Sequence, residues 1–319
     1  MDFTTERSQN PPVTMSFFYP IPVALSLLIL RILLEKFYFE PIGIKLGLEA
    51  PIIHPIKNRK GTLSFLKWLP HISINSKVYY LSTLLNFSEN FGIESSLKPS
   101  KLSKFSKSIW QLIFFTFTFI AGMIILWNKS WFWNLKECWV GYPHQNLTDD
   151  VWLYNFMNIA FYWSLLITLL IGTKKKDFNE NAIHHSVAIL LIYLSVNCQC
   201  FRIGTIIIVD LSVSDIFLEA SKMANYLEYN KTCTACFILF TIIWIISRWV
   251  VFPFWIIHNT LFHVPKVLPI NLKWYILNGL LMTLVLLNVF WTVMIFRVIK
   301  RGLTEGDIRD VRSDSESDD

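Results

Sequence analysis

Between Asp177 and Tyr226 the chain reads DFNENAIHHSVAILLIYLSVNCQCFRIGTIIIVDLSVSDIFLEASKMANY, two apolar segments that carry a His pair, an Arg, Asp, Glu and Lys among Ile, Leu and Val. An ionisable group at the centre of a bilayer costs about 3 kcal/mol or more, so such residues face a bundle interior or a cavity and pair with one another. Ser212, Asp215, Glu219 and Lys222 are spaced three, four and three apart and share one helix face. A carboxylate pair with a Lys one turn on can simply neutralise itself; beside imidazoles it can also accept protons. His184 and His185 are adjacent, so they point about 100° apart and cannot both face one cavity. One would act while the other hydrogen-bonds or orients. A neutral imidazole can move a proton or carry an acyl group as a nucleophile. Arg202, at the start of the second segment, reads as a snorkelling anchor. Adjacent His rarely ligate one ion and no HxxxH spacing occurs, so no metal is expected.

The elements that must hold these groups are membrane helices. The 319 residues are 53% hydrophobic and only 16% charged, against about 25% charged in ordinary soluble domains. The net charge of +6 sits in loops beside apolar runs, which points to the inner membrane surface and away from nucleic acid. Seven spans are expected at 17–37, 109–127, 151–172, 181–198, 202–222, 234–257 and 275–297, an all-α polytopic architecture. The first run lacks a basic n-region and a small-residue cleavage site and reads as an uncleaved span. The chain then divides into a lumenal amino end with the first span (1–37), a basic cytosolic region (38–108), a helical membrane domain (109–298) and an acidic cytosolic tail (299–319). Lys174, Lys175 and Lys176 directly after the third span are a positive-inside signal. The weakly acidic loop before Asp150, with acceptor sequons at Asn128 and Asn146, falls on the other side. The five cysteines lie in or beside apolar runs and read as packed thiols. Ser313 and Ser315 each precede an acidic residue by three positions, a pattern that suits acidophilic kinases.

The stretches DFNENAIHH, RIGT, SD, LEASKMANY and SRWVVFPFWIIHNT resemble the longevity-assurance motif of the TLC-domain ceramide synthases. The likeness extends through FIAGM, WVGYP, FYWSLL and LLNVFW to the tail RSDSESDD. The resemblance implies an endoplasmic-reticulum N-acyltransferase that joins a fatty acyl-CoA to sphinganine or sphingosine to make (dihydro)ceramide. Its site would lie inside a TLC-type bundle of the last six spans, with His184, His185 and Asp215 catalytic and Arg202, Ser212, Glu219 and Lys222 supporting. Lys174, Lys175 and Lys176 could meet CoA phosphates. No cofactor is implied, because acyl-CoA is a substrate. Membrane lipids and a homo- or heterodimer with another ceramide synthase are the implied partners, and the loop from about His258 to Trp274 is where the family chooses chain length. The segment LSTLLNFSENFGIESSLKPSKLSKFSKS resembles only the degenerate end of a homeobox, so nucleic acid is not an expected partner.

One departure stands out. The family's second signature, His-Asp followed after two residues by Asp, aligns with LSVSD, so its His is Leu211, its first Asp is Ser212, and only Asp215 matches. Asp210 lies about 140° round the helix from Asp215 and does not simply replace the lost carboxylate. Leu transfers no proton, and loss of one general acid or base typically costs about 10²–10⁴ in rate. The alternative to a working synthase is a catalytically impaired relative that binds sphingoid lipid or acyl-CoA, or regulates an active partner.

The charge bias makes a topological prediction. In sealed microsomes a carboxyl-terminal tag is cleaved by added protease while Asn146 carries glycan; a protected tag would overturn the assigned orientation.

Overall fold

The computed structural model describes residues 15–49, 100–172 and 177–305, and among these every regular element is helical. Lys174, Lys175 and Lys176, the homeobox-like segment before residue 100 and the acidic tail from 306 lie outside the described residues.

Seven helical rods follow one another among the described residues. α1 (Pro20–Leu34) passes through a π turn at Glu35–Phe39 into α2 (Glu40–Lys45). Proline opens both, at first-turn positions where its missing N–H has no partner to lose. The rod runs past the expected end at 37 because its charges pair along the helix, Arg31 with Glu35 and Lys36 with Glu40, each at 2.6 Å. Arg31 also donates to Thr168 Oγ1 at 3.3 Å, which ties this rod to the fourth helix. α3 (Lys101–Leu126) starts earlier than expected: Ser100 Oγ accepts from the Ser103 N–H at 3.2 Å and caps it. Its first turns therefore carry Lys101, Lys104 and Lys107 inside a helix whose long stems can reach a polar surface.

After a connection built on Ser130–Trp133 and a 3₁₀ turn at Leu135–Trp139 come α4 (Asp149–Ile171), α5 (Phe178–Asn197) and α6 (Phe201–Tyr226). Asp149 and Asp150 occupy the first turn of α4, where negative charge opposes the helix dipole. α7 (Asn230–Ile245) continues as π helix over Ile246–Ile257 and Asn259–His263 and ends in α8 (Val264–Val267). Pro253 lies inside that stretch. It cannot donate the hydrogen bond an α-helix would require there, and the wider π turn accommodates the gap. α9 (Leu272–Glu305) closes the order. Four of the rods, Lys101–Leu126, Asp149–Ile171, Asn230–Val267 and Leu272–Thr304, are long and apolar enough to cross a membrane by length and composition. α5 and α6, which carry His184, His185, Asp210, Asp215, Glu219 and Lys222, lie beside them.

α6 is the central helix, packed by α3 on one side and α7 on the other, while α4 packs on α5 and α1. Buried polar pairs join the rods: Asn155 Nδ2 donates to Thr205 Oγ1 at 2.8 Å, Thr118 Oγ1 to Asn158 Oδ1 at 3.3 Å, and the Tyr154 hydroxyl to the Thr118 carbonyl at 3.1 Å. In a medium without water such bonds replace the hydrophobic drive between helices. Close approach supplies the rest. A Cβ on Gly204 would sit 2.6 Å from Ser195 Oγ, so the α5–α6 hairpin closes only because residue 204 has no side chain.

Gly204→Leu should therefore overpack the hairpin by about 1–3 kcal/mol and lower the melting temperature in detergent. Ser195→Gly in the same chain should recover part of the loss, and a melting temperature unmoved by Gly204→Leu would contradict the contact.

Candidate active site

From the Ser195–Gly204 contact, eleven residues back along α5 lead to His184 and eleven forward along α6 lead to Asp215. At 1.5 Å per residue both stand at the same depth, about 16 Å from the hairpin contact. Beside His184, α5, α6 and α9 enclose an apolar cavity, walled by residues such as Leu191, Ile207, Leu211, Leu281 and Leu284, and Asp215 is not among its lining residues. His184 lines its inner end beside Tyr162. The hairpin end is closed by two indoles: Trp139 Nε1 donates to Asn259 Oδ1 at 2.6 Å and Trp274 Nε1 to the Thr260 carbonyl at 2.9 Å. Cys200 also lines this end. Burial pushes the Cys138 and Cys200 thiols up to about 12, so neither supplies a thiolate near neutral pH.

His184 and His185 lie 5.4 Å apart, centroid to centroid, and both rings rest near Tyr162, at 6.1 and 6.0 Å. Only His184 faces the cavity, and it meets the Trp291 ring edge-on at 5.0 Å. His185 lies on the side from which the Lys107 charge acts. The Nδ1 atoms of both are buried with no protein hydrogen-bond partner among the described residues. The expected 100° divergence of the pair is thus what separates a cavity-facing imidazole from a neighbour turned aside.

The residue that sequence reasoning missed is Arg248. It is buried in the π-helical stretch, and its Nη2 donates to the Leu211 carbonyl at 2.8 Å and to Ser214 Oγ at 3.2 Å. Its guanidinium lies 5.0 Å over the Trp244 ring, and its charge acts on His184, Tyr162, Asp210 and Asp215 together. Ser247 donates to the Asp210 carbonyl at 2.9 Å, fixing the same junction. Asp210, placed round the helix from Asp215, and Asp215 itself both lie in its field, and neither forms an ion pair with it among the described residues. The signal was present in the sequence: an Arg inside IIWIISRWVVFPFWII is as costly as the carboxylates that were singled out.

The other expected residues divide. Glu219 is buried and pairs with Lys222 at 2.6 Å, leaving Glu219 Oε2 without a hydrogen-bond partner among the described residues. Asp215 joins this group electrostatically through Glu219 and Lys222. Ser212 Oγ donates to the Val209 carbonyl of its own helix at 3.0 Å, so the hydroxyl is taken up locally and not turned to the site. Arg202 does not snorkel: Nη1 donates to the Glu137 and Val140 carbonyls at 3.0 and 3.3 Å and the guanidinium lies 6.0 Å over Trp131, clamping the α3–α4 connection to the hairpin. Each of these carbonyls accepts a second hydrogen bond as well, Glu137 from the Val140 N–H and Val140 from Gln145 Nε2. Lys174, Lys175 and Lys176 lie outside the described residues. Among the described residues no cluster of three His, Cys, Asp or Glu could hold a metal ion.

Comparison with known proteins gives this arrangement relatives. A family model described as TLC domain matches residues 104–297. Human "Ceramide synthase 5" is 40% identical over 221 residues, 69% of this chain and 56% of that protein, so the match spans little more than half of that relative. Mouse "Ceramide synthase 3" is 34% identical over 303 residues, 93% of this chain and 79% of the relative. "Ceramide synthase hyl-1" of Caenorhabditis elegans is 33% identical over 228 residues, 68% of this chain and 62% of the relative.

Removing Arg248 takes its hydrogen bonds from the Leu211 carbonyl and Ser214, which destabilises by about 1.5–3 kcal/mol. Arg248→Leu should lower the melting temperature accordingly, and Asp210→Asn added to it should restore part of the loss. Strict additivity of the two changes would show that Arg248 does not neutralise Asp210.

Proposed function

The chain belongs to the TLC-domain ceramide synthase family, and from that premise we propose that it is a sphingosine N-acyltransferase of the endoplasmic reticulum membrane. It takes fatty acyl-CoA and sphinganine or sphingosine and releases (dihydro)ceramide and CoA. The observation that carries the reading is His184 at the inner end of an apolar cavity that is also lined by Ser195 and Gly204, about 16 Å away along the helices, where a fatty chain would lie with its thioester at the imidazole.

An imidazole nitrogen of His184 adds to the thioester carbonyl carbon, the C–S bond breaks and CoA leaves as its thiolate. The amine of the sphingoid base then attacks the acyl carbon, the bond to imidazole breaks and an amide remains. The proton lost by the amine ends on the CoA sulfur, passed through Asp215 and Glu219, which stand at and just beyond the depth of His184. Arg248, held by the Leu211 carbonyl and Ser214, offers positive charge where the carbonyl oxygen becomes negative. His185 orients its neighbour. Thioester-to-amide exchange is downhill, so positioning and proton removal suffice. Lys174, Lys175 and Lys176 follow α4 in the chain, just before the helix that carries His184, and would meet CoA phosphates from the cytosolic side. The carboxyl end is cytosolic, no cofactor takes part, and pairing with a second synthase chain is the assembly to look for.

Purified protein in detergent with a panel of acyl-CoAs and sphinganine should form product. His184→Ala should lower the rate by about 10²–10⁴, His185→Ala less, and Leu211→His with Ser212→Asp should raise it. Activity indifferent to both His substitutions would reject the assignment. A folded protein that binds acyl-CoA without forming product, before and after residue 211 is restored, would support a non-catalytic member of the family.

A further inference from the structure

The turn that closes the hairpin end of the cavity has two faces. Thr260 and Val264 line the cavity, whereas His258, Asn259, Phe262, His263 and Lys266 line a separate open groove on the other side. Asn134 and Lys136 of the α3–α4 connection, with Phe254 and Trp255, complete it. Its composition is unlike that of the cavity. Two ammonium groups and two imidazoles surround it, and no carboxylate is among its lining residues. Neither Lys136 nor Lys266 forms an ion pair among the described residues. Glu137, the acid next to Lys136, accepts instead from Asn134 Nδ2 at 3.2 Å. Beside the cations stand large rings turned outward: Phe254 is 75% exposed and Phe262 58%, with the His258 ring 5.1 Å from Phe262.

Cations at one level and bare rings at the next are complementary to a molecule with an anionic head and apolar tails. We propose that this groove binds an anionic phospholipid, its phosphate between Lys136 and Lys266 with the imidazoles donating, and its acyl chains along Phe254 and Phe262. Aromatic rings favour the membrane interface, and two ammonium groups supply the charge-assisted hydrogen bonds that a phosphate takes up. A soluble phosphate would satisfy the cations and leave the rings uncovered, and a neutral lipid would do the reverse. The site is coupled to the cavity by structure: Asn259, in the groove wall, holds the Trp139 indole that lines the cavity. A bound headgroup would steady the turn that ends the cavity.

The test uses the full chain in detergent, stripped of lipid, with native mass spectrometry and thermal melting as readouts. Added phosphatidic acid should be retained and raise the melting temperature; phosphatidylcholine and inorganic phosphate should do neither. The double variant Lys136→Gln, Lys266→Gln should melt as the parent does without lipid and bind phosphatidic acid at least about tenfold more weakly. Equal retention of phosphatidylcholine, an equal shift with inorganic phosphate alone, or undiminished binding by the double variant would each overturn the proposal.

Discussion

A guanidinium set in the middle of an apolar bundle has to be surrounded by acceptors and counter-charge, and most of the inner half of this molecule is arranged around that demand. Arg248 takes a backbone carbonyl and a hydroxyl from α6, rests on the Trp244 ring and stands within the field of Asp210 and Asp215. A carbonyl, a hydroxyl and a ring face thus stand in for a direct counter-ion. The indoles extend the arrangement sideways, since Trp244 and Trp249 both donate to Thr292 Oγ1 at 2.9 Å, and Trp291 on the same helix meets His184. α6, α7, α9 and the cavity-facing imidazole are thereby set relative to one cation.

The opposite end depends on close approach in place of charge. Because Gly204 admits Ser195, α5 and α6 begin as a tight hairpin, and the cavity occupies the space they share with α9 further in. Polar chemistry and apolar volume are thus segregated along one axis. The signature change to Leu211 falls at their junction: its side chain joins the apolar wall while its carbonyl is held by Arg248. Substitution there alters the wall and leaves the charged network's backbone anchor in place.

The helical class and the positions of the rods were legible in hydropathy, as were the two histidines, whose adjacency fixed their divergence. Helix ends were less so. α2 and the start of α3 extend into stretches rich in Lys and Glu because i,i+4 pairs and a serine cap keep charged turns helical, which an apolar count cannot register. Side-chain partners were the least legible. Ser212 shares a helix face with Asp215 yet bonds its own backbone, and Arg202 finds carbonyls 65 and 62 residues away in the chain. Such bonds are set by which turns meet in space. Arg248 escaped notice because it was read as part of a motif and not weighed as a charge.

The π-helical stretch around Pro253 gives the chain an unusual freedom of length. Each wide turn holds one residue more than an α turn, so a single deletion between Trp249 and Ile257 can be absorbed by relaxing a π turn to α. Everything beyond would then keep its facing, whereas the same deletion in a plain α-helix would rotate it by about 100° and draw it back by about 1.5 Å. Arg248 lies upstream and would keep its partners, and Thr260 and Val264 downstream would still line the cavity. The stretch works as slack in the chain, letting a residue be lost between the charged centre and the cavity terminus without turning either.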